Sequence, residues 1–317
     1  MPCCHTFLRD RQLLEAELQA IDGLNVMHNV PLAPLTTFHI GGKARFFLVP
    51  GTISALEQAL LCLKRHEQPY RILGNGSNLL IDDAGVDVVL SLRGLTRHLA
   101  PQLQFSRGLE PIGVMVEAGM SLQRLLAWAV KNGLSGLERL AGIPGSVGGA
   151  VVMNAGANGK EIGSIVEAVL LTFPGESHWY PREVLEFQYR RLILPEEAVV
   201  SAVRLFLMPA SPWGLIQDVK VIMRHRCSSQ PIGNKSAGCV FKNPAGDSAG
   251  RLLELCGLKG RRMGDAQFSP KHANFIVNVG HARFDDVFGL MTWAKEAVFG
   301  RFGVELVPEV SIWREYV

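Results

Sequence analysis

The sequence has no block of like charge: 32 Lys and Arg stand against 29 Asp and Glu, a formal charge of +3, and no run of five or more charges of one sign occurs. Nucleic acid would call for a basic stripe, so none is expected as a partner. Scattered basic positions remain for a phosphorylated small molecule. Apolar runs of the ~20 residues needed to cross a bilayer are missing. Met1-Pro2-Cys3-Cys4-His5 opens without the apolar stretch of a secretory signal, and membrane insertion is not expected. Cysteines are few and lack paired spacing: Cys3, Cys4, Cys62, Cys227, Cys239 and Cys256. They read as free thiols in a reducing compartment, which points to the cytoplasm. Cys3-Cys4-His5 holds metal-ligand residue types, but at an end expected to fray, so no metal site is expected. Internal repeats and low-complexity segments are also absent.

What is present suits a sizeable globular protein. With 48% hydrophobic and 19% charged residues over 317 positions, two or three domains can each bury a core, at roughly 100–200 residues per domain. Residues 9–21 have helical periodicity (Leu13, Leu14, Leu18, Ile21), and Asp22-Gly23 is a plausible stop. Thr52 reads as the cap of a helix running to His66, followed by strands at Tyr70-Arg71-Ile72-Leu73 and Val88-Val89-Leu90-Ser91-Leu92. Further strands are predicted over 112–118, 165–173 and 199–208. Helices are predicted over 121–132, 215–226, 248–256 and 285–301, and a closing strand over 305–313. The step Pro209-Ala210-Ser211-Pro212 marks the best domain boundary. The fold class is α+β.

Three loops carry chemistry. Leu73-Gly74-Asn75-Gly76-Ser77-Asn78-Leu79-Leu80 follows a strand, and its glycines free backbone N–H groups to face an anion. It lacks the third glycine and the acidic residue of a Rossmann fingerprint, and taken alone reads equally as an ordinary tight turn. Gly142-Ile143-Pro144-Gly145-Ser146-Val147-Gly148-Gly149-Ala150-Val151-Val152-Met153-Asn154-Ala155-Gly156 is dense in residues that bury little. Close approach of backbone to a flat or phosphorylated ligand accounts for it better than a bare connection. The third, Arg226 to Pro231 and then Ser236-Ala237-Gly238-Cys239-Val240-Phe241-Lys242-Asn243-Pro244, offers cations and amides suited to an oxyanion or sugar. On its own it reads as a solvated polar loop.

In combination, and with Thr36-Thr37-Phe38-His39-Ile40-Gly41-Gly42, Phe187-Gln188-Tyr189-Arg190, Lys271-His272-Ala273-Asn274-Phe275 and Pro308-Glu309-Val310, these loops resemble the UDP-N-acetylenolpyruvoylglucosamine reductases (MurB). Those are flavoproteins with the vanillyl-alcohol-oxidase type of FAD fold. The resemblance implies three domains, 1–96 and 97–213 enclosing non-covalent FAD and 214–317 binding a UDP-sugar, with NADPH as co-substrate. It assigns Gly74, Asn75, Gly76, Ser77, Asn78, Gly142, Ile143, Pro144, Gly145, Ser146, Gly148, Gly149 and Asn154 to the flavin. Tyr189, Arg226, Gln230, Lys242, Asn243 and Asn274 fall to the substrate.

In such enzymes flavin hydride reduces an enolpyruvyl ether and the enolate is then protonated. By resemblance Arg190 polarises the carboxylate, Cys239 stands at the proton-donor position, and Glu309 matches the catalytic glutamate. Three departures stand out: Cys239 where serine is usual, Ser311 where arginine is common, and Arg191-Leu192 in place of small polar residues. No tyrosine lies between Arg190 and Arg224, which resembles the short-loop subgroup. The rival readings are another FAD oxidase of the same fold, whose covalent flavin linkage would need a His or Cys absent from both glycine loops, and a flavin or UDP-sugar binding protein without catalysis.

Overall fold

The computed structural model describes residues 3–99, 110–157 and 159–314. The chain forms two compact units, each assembled from three segments. Unit one comprises Met1–Asn29, Arg45–Asn75 and Asp87–Lys220; unit two comprises Val30–Ala44, Gly76–Val86 and Val221–Val317. Unit two therefore includes two pieces from the first hundred residues. The first glycine loop is divided after Asn75.

In unit one, α1 (Cys3–Gln19) and α2 (Ile53–Arg65) accompany a sheet ordered Leu24–Pro31, Lys43–Pro50, Val86–Ser91, Arg71–Leu73. Helix α1 begins earlier than its periodicity predicted, and Leu14 and Leu18, four apart, are buried. Thr52 caps α2 as expected: its Oγ1 accepts from Ala55 N–H at 3.0 Å. The strand Arg71–Leu73 runs parallel to Val86–Ser91, with Leu73 opposite Ser91.

A second, six-stranded sheet has the order Glu176–Pro181, Val166–Phe173, Val199–Pro209, Ile112–Glu117, His98–Leu99, with Leu134–Ser135 also paired to Val199–Pro209. Residues Val199 to Val203 are buried without alternation, as a strand covered on both faces requires. Helix α3 (Leu122–Lys131) starts at Ser121, whose Oγ accepts from Arg124 N–H. It buries Leu122, Leu125, Leu126 and Ala129, one helical stripe in which each leucine contributes about 2 kcal/mol of burial. Helix α4 (Val147–Val152) lies inside the second glycine loop, where no element was predicted.

Helix α5 (Pro212–Ser229) opens on Pro212, a residue favoured at a helix start because it needs no N–H partner there. The boundary between units falls within α5, after Lys220, eight residues beyond the predicted step. Unit two continues with α6 (Ala249–Leu255), a three-stranded sheet of Arg262–Met263, Ala266–Phe268 and Ile276–Asn278, and α7 (Phe284–Phe302). Helix α7 buries Phe284, Val287, Leu290, Met291, Ala294 and Val298 and ends at Gly303, whose φ of 66° is a left-handed cap. The closing strand is only Ser311–Trp313, parallel to Leu79–Ile81. Residues 307–309, predicted to belong to it, bond instead to 240–242. Among the described residues, no helix is long and apolar enough to cross a membrane.

Candidate active site

In unit one the strand Arg71–Leu73 delivers Gly74 and Asn75 to the edge of a cleft of about 550 Å³. Its walls divide by chemistry: Met120, Leu125 and Trp128 are apolar, while Arg93 and Arg124 bring guanidinium groups. Arg93 Nε donates to Gly74 O at 3.2 Å, and burial lowers the Arg93 pKa, a sign that its charge is partly stripped of water and acts strongly on an anion. Met120, Leu125, Trp128, Arg93 and Arg124 stand in none of the sequence motifs, whereas Asn75 belongs to the first glycine loop.

The second glycine loop adjoins this cleft. Ser121 and Ser146 form a β-bridge, Leu122 N–H donates to Gly145 O at 3.0 Å, and Val147 N–H to Met120 O at 2.8 Å. Gln123 of α3 holds the turn, accepting from Gly142 N–H at 3.3 Å and donating to Ile143 O at 2.7 Å. Gly142 and Gly145 have φ of 79° and 131°, where a side chain would strain the backbone. A Cβ on Gly74 would stand 2.6 Å from Ser146 Oγ, so glycine there lets the loops meet. Ser146 Oγ itself accepts from Gly149 N–H at 3.2 Å. Pro144 and Gly149 are exposed. A concave site with one apolar wall, two guanidinium groups and glycine backbone fits a flat-ringed dinucleotide such as FAD.

Three residues expected at the flavin also make close contacts within the protein. Gly148 is fully buried in α4; a Cβ there would meet Ala118 Cβ at 2.6 Å, and its N–H donates to Ala118 O at 2.8 Å. It lets α4 pack on a strand end. In unit two, Gly76 has φ 66°, and a Cβ would lie 2.2 Å from Leu35 O. Asn154 is 1% exposed, and its amide is saturated by protein: Nδ2 donates to Glu161 Oε2 at 2.6 Å and Gln188 O at 2.9 Å, and Oδ1 accepts from Gly163 N–H at 3.1 Å.

Asn154 thereby anchors a hairpin. Phe187–Gln188 pairs with Arg191–Leu192, leaving Tyr189 and Arg190 as the turn. Arg190 takes φ 58°, a left-handed conformation uncommon outside glycine and asparagine and a mark of functional positions. Its guanidinium carbon lies 5.0 Å from the Tyr189 ring centre. A Cβ on Gly156 would come within 3.2 Å of Arg190 Nη1, so the guanidinium lies across that glycine. Tyr189 is exposed. No inserted element separates Arg190 from Arg224 beyond Arg191–Leu192, Val199–Pro209 and α5.

Unit two sets the segment that carries Cys239 beside the segment that carries Glu309, with Glu309 opposite Val240. Gly238, at φ 83°, turns the chain into residues 239–242, which run between two segments. On one side Val240 N–H donates to Asn274 O at 2.9 Å, and Cys239 bridges Phe275. On the other, Glu309 N–H donates to Val240 O at 2.8 Å and Lys242 N–H to Val307 O at 2.9 Å.

Asn274, expected at the substrate, is 2% exposed. It brackets Phe241, accepting from its N–H at 3.0 Å and donating to its carbonyl at 2.8 Å. Through these two bonds it positions the Cys239 segment. Asn243 is exposed, and its Oδ1 accepts from Ala249 N–H at 3.0 Å at the start of α6. Lys242 is half-buried, Ser77 and Asn78 likewise.

Arg226 lies in the last turn of α5, with Gln230 N–H donating to its carbonyl at 2.9 Å. Its Nε is buried without a hydrogen-bond partner in the protein. Burial lowers its pKa, opposed by the thiols of Cys239 and Cys227. An unpaired buried guanidinium nitrogen beside Cys239 is suited to an anionic ligand.

Residues 44–174 match the family described as FAD binding domain, and residues 230–313 match UDP-N-acetylenolpyruvoylglucosamine reductase, C-terminal domain. The UDP-N-acetylenolpyruvoylglucosamine reductase of Syntrophobacter fumaroxidans is 42% identical over 287 residues, covering 89% of this chain and 82% of that one. Its counterpart in Syntrophus aciditrophicus is 39% identical over 317 residues, covering 98% of each. In three dimensions the chain resembles the crystal structure of MurB from Thermus caldophilus at a TM-score of 0.76 and 40% identity, over 92% of this chain and 100% of that one. The two-loop cleft of unit one thus belongs to an FAD-binding domain, and the chain is a member of the UDP-N-acetylenolpyruvoylglucosamine reductase family.

Proposed function

We propose that the chain reduces UDP-N-acetylglucosamine enolpyruvate to UDP-N-acetylmuramate, a step of peptidoglycan precursor synthesis in the cytoplasm, with NADPH as the reductant. The observation that supports this reading is that the segment carrying Cys239 and the segment carrying Glu309 lie side by side in unit two, joined by Glu309 N–H to Val240 O at 2.8 Å, in a chain with an FAD-binding domain. Gly74, Asn75, the turn from Gly142 to Gly149 and Arg93 would hold FAD. When bound, FAD supplies the hydride that reduces the terminal carbon of the vinyl ether.

The remaining chemistry falls to this chain's side chains. Negative charge left on the substrate conjugates into its carboxylate, and the Arg190 guanidinium stabilises it there. The Cys239 Sγ–H then delivers a proton to the carbon beside the carboxylate, with Glu309 placed to orient that transfer. Arg226, Lys242 and, more weakly, Gln230 and Asn243 supply charge and amides for the diphosphate and sugar. Tyr189, stacked on Arg190, borders the same substrate.

The test is rapid-mixing kinetics on purified protein. NADPH should bleach the flavin in wild type, Arg190→Ala and Glu309→Gln alike, while reoxidation by the UDP-enolpyruvyl sugar slows by orders of magnitude in both variants. Equal slowing of the two halves, or NADPH oxidation indifferent to the sugar, would overturn the assignment.

A further inference from the structure

Away from the residues discussed so far, α1 and α2 of unit one place three different metal-ligating groups around one point. Leu14 and Leu18 set the buried stripe of α1, and Glu17 lies beside that stripe. Cys62 of α2 and His66, the residue that caps its C-terminus, are four apart and so share a face. Cys62 Sγ lies 3.7 Å from Glu17 Oε2, and His66 Nε2 lies 3.4 Å from the same oxygen. The ligand atoms of all three residues lie within 4.8 Å of one another. Cys62 is 1% exposed, whereas the His66 and Glu17 side chains retain access to solvent.

We propose that Glu17, Cys62 and His66 bind a divalent ion of the zinc type, with water in the fourth position. The spacing supports this directly. Ligand bonds of about 2.0–2.3 Å in a tetrahedron put neighbouring ligand atoms about 3.3–3.6 Å apart, close to the two separations involving Glu17. The donor set selects the ion: thiolate with imidazole and carboxylate suits zinc, whereas magnesium and calcium require oxygen alone. Arg65 Nη2 lies 3.1 Å from the same Glu17 Oε2 and its guanidinium also reaches the Cys62 thiol, so this exposed side chain turns aside to solvent as the ion enters.

Without an ion, burial and then the Glu17 carboxylate push the Cys62 thiol up to about 11. Binding replaces the S–H bond with a sulfur–metal bond and releases the proton to water. No electron moves. The ion ties α1 to α2 and takes no part in the flavin reaction.

Cobalt(II) tests this in the flavin-loaded protein, because its tetrahedral bands fall to the red of flavin absorption. Wild type, stripped of metal, should develop those bands, saturate at one equivalent, lose them to zinc, and unfold at a higher temperature when zinc is present. Cys62→Ser and His66→Gln should each weaken cobalt binding by about 100-fold or more, beyond the range typical of outer-shell changes, with flavin content and turnover unchanged. Glu17→Gln, a gentler change, covers the case in which either variant fails to fold. Absence of saturable tetrahedral cobalt binding, or wild-type affinity in the variants, would show that the three groups are only a hydrogen-bonded cluster.

Discussion

The side-chain amide of Asn78 donates to the carbonyl of Glu309 at 3.1 Å, across 231 positions of sequence, and Ser311 N–H returns to Asn78 O at 3.0 Å. The residue expected to serve the flavin thus fixes the backbone of the expected catalytic glutamate. Asn78→Ala should lower kcat roughly tenfold or more, as misplacement of a reacting group does, while flavin content stays within a factor of two or so. Loss of flavin with unchanged kcat in the residual holoenzyme would return Asn78 to the cofactor.

Gly148 makes a separable claim. Because an added Cβ would sit 2.6 Å from Ala118 Cβ, Gly148→Ala should overpack the contact between α4 and the strand end, at a cost of roughly 2–3 kcal/mol. Urea unfolding measures it. Undiminished stability with weakened FAD binding would mean that the glycine serves the ligand instead.

Arg93 is the cleft residue whose loss should be felt most by FAD. A charge-assisted hydrogen bond contributes about 1.5–3 kcal/mol, so Arg93→Ala should weaken FAD binding to apoprotein by roughly tenfold to a hundredfold. Fluorescence titration with FAD reads this, and an unchanged Kd would remove Arg93 from the site.

For Cys239, serine and alanine separate the chemistry from the packing. Cys239→Ser keeps a donor in place and should retain substantial turnover. Cys239→Ala should accept reducing equivalents from NADPH at the normal rate yet stall when the UDP-enolpyruvyl sugar is added. Normal turnover by the alanine variant would assign the proton to another group.

His272 links acidity to the Cys239 segment. Its Nδ1 accepts from Asn274 N–H at 3.2 Å, which requires the neutral ring. Burial, and secondarily Lys259, lowers its pKa from the ordinary 6.5. The unfolded chain therefore takes up the proton first as pH falls: the stabilising contribution is complete above about 6.5 and is lost as pH drops through that value toward the folded pKa. Urea midpoints between about pH 8 and 5 should fall less steeply in His272→Gln than in wild type. Parallel slopes would exclude the linkage.

What could be read from sequence follows from the range of the forces involved. Thr52 and Ser121 announce α2 and α3 because cap and apolar stripe are both local. Helix α4 was not legible: Gly148 and Gly149 each oppose a helix by about 1 kcal/mol, and the contact with Ala118 that offsets this exists only in three dimensions. Family resemblance is what singles out Arg190, Cys239 and Glu309 as candidates, and motif wording does not distinguish an amide that meets a ligand from one that brackets backbone. Asn154 and Asn274, whose amides bond to the protein's own backbone, show that structural part, which has no signature in sequence. Arg93, Arg124 and Trp128 carry no motif at all, and the recruitment of residues 30–44 and 76–86 into unit two depends on pairings made over most of the chain's length.

The parallel pairing of Leu79–Ile81 with Ser311–Trp313 also has a bearing on biosynthesis. A ribosome adding about 5–20 residues per second exposes the earlier strand for on the order of ten seconds or more before its partner emerges. During that interval Leu79, Leu80 and Ile81 form an apolar edge with its hydrogen-bonding groups unmatched, the kind of surface that holdase chaperones recognise. Slowing translation anywhere between residues 82 and 310 should therefore aggravate aggregation of the nascent chain, whereas an equal slowing before residue 79 should not.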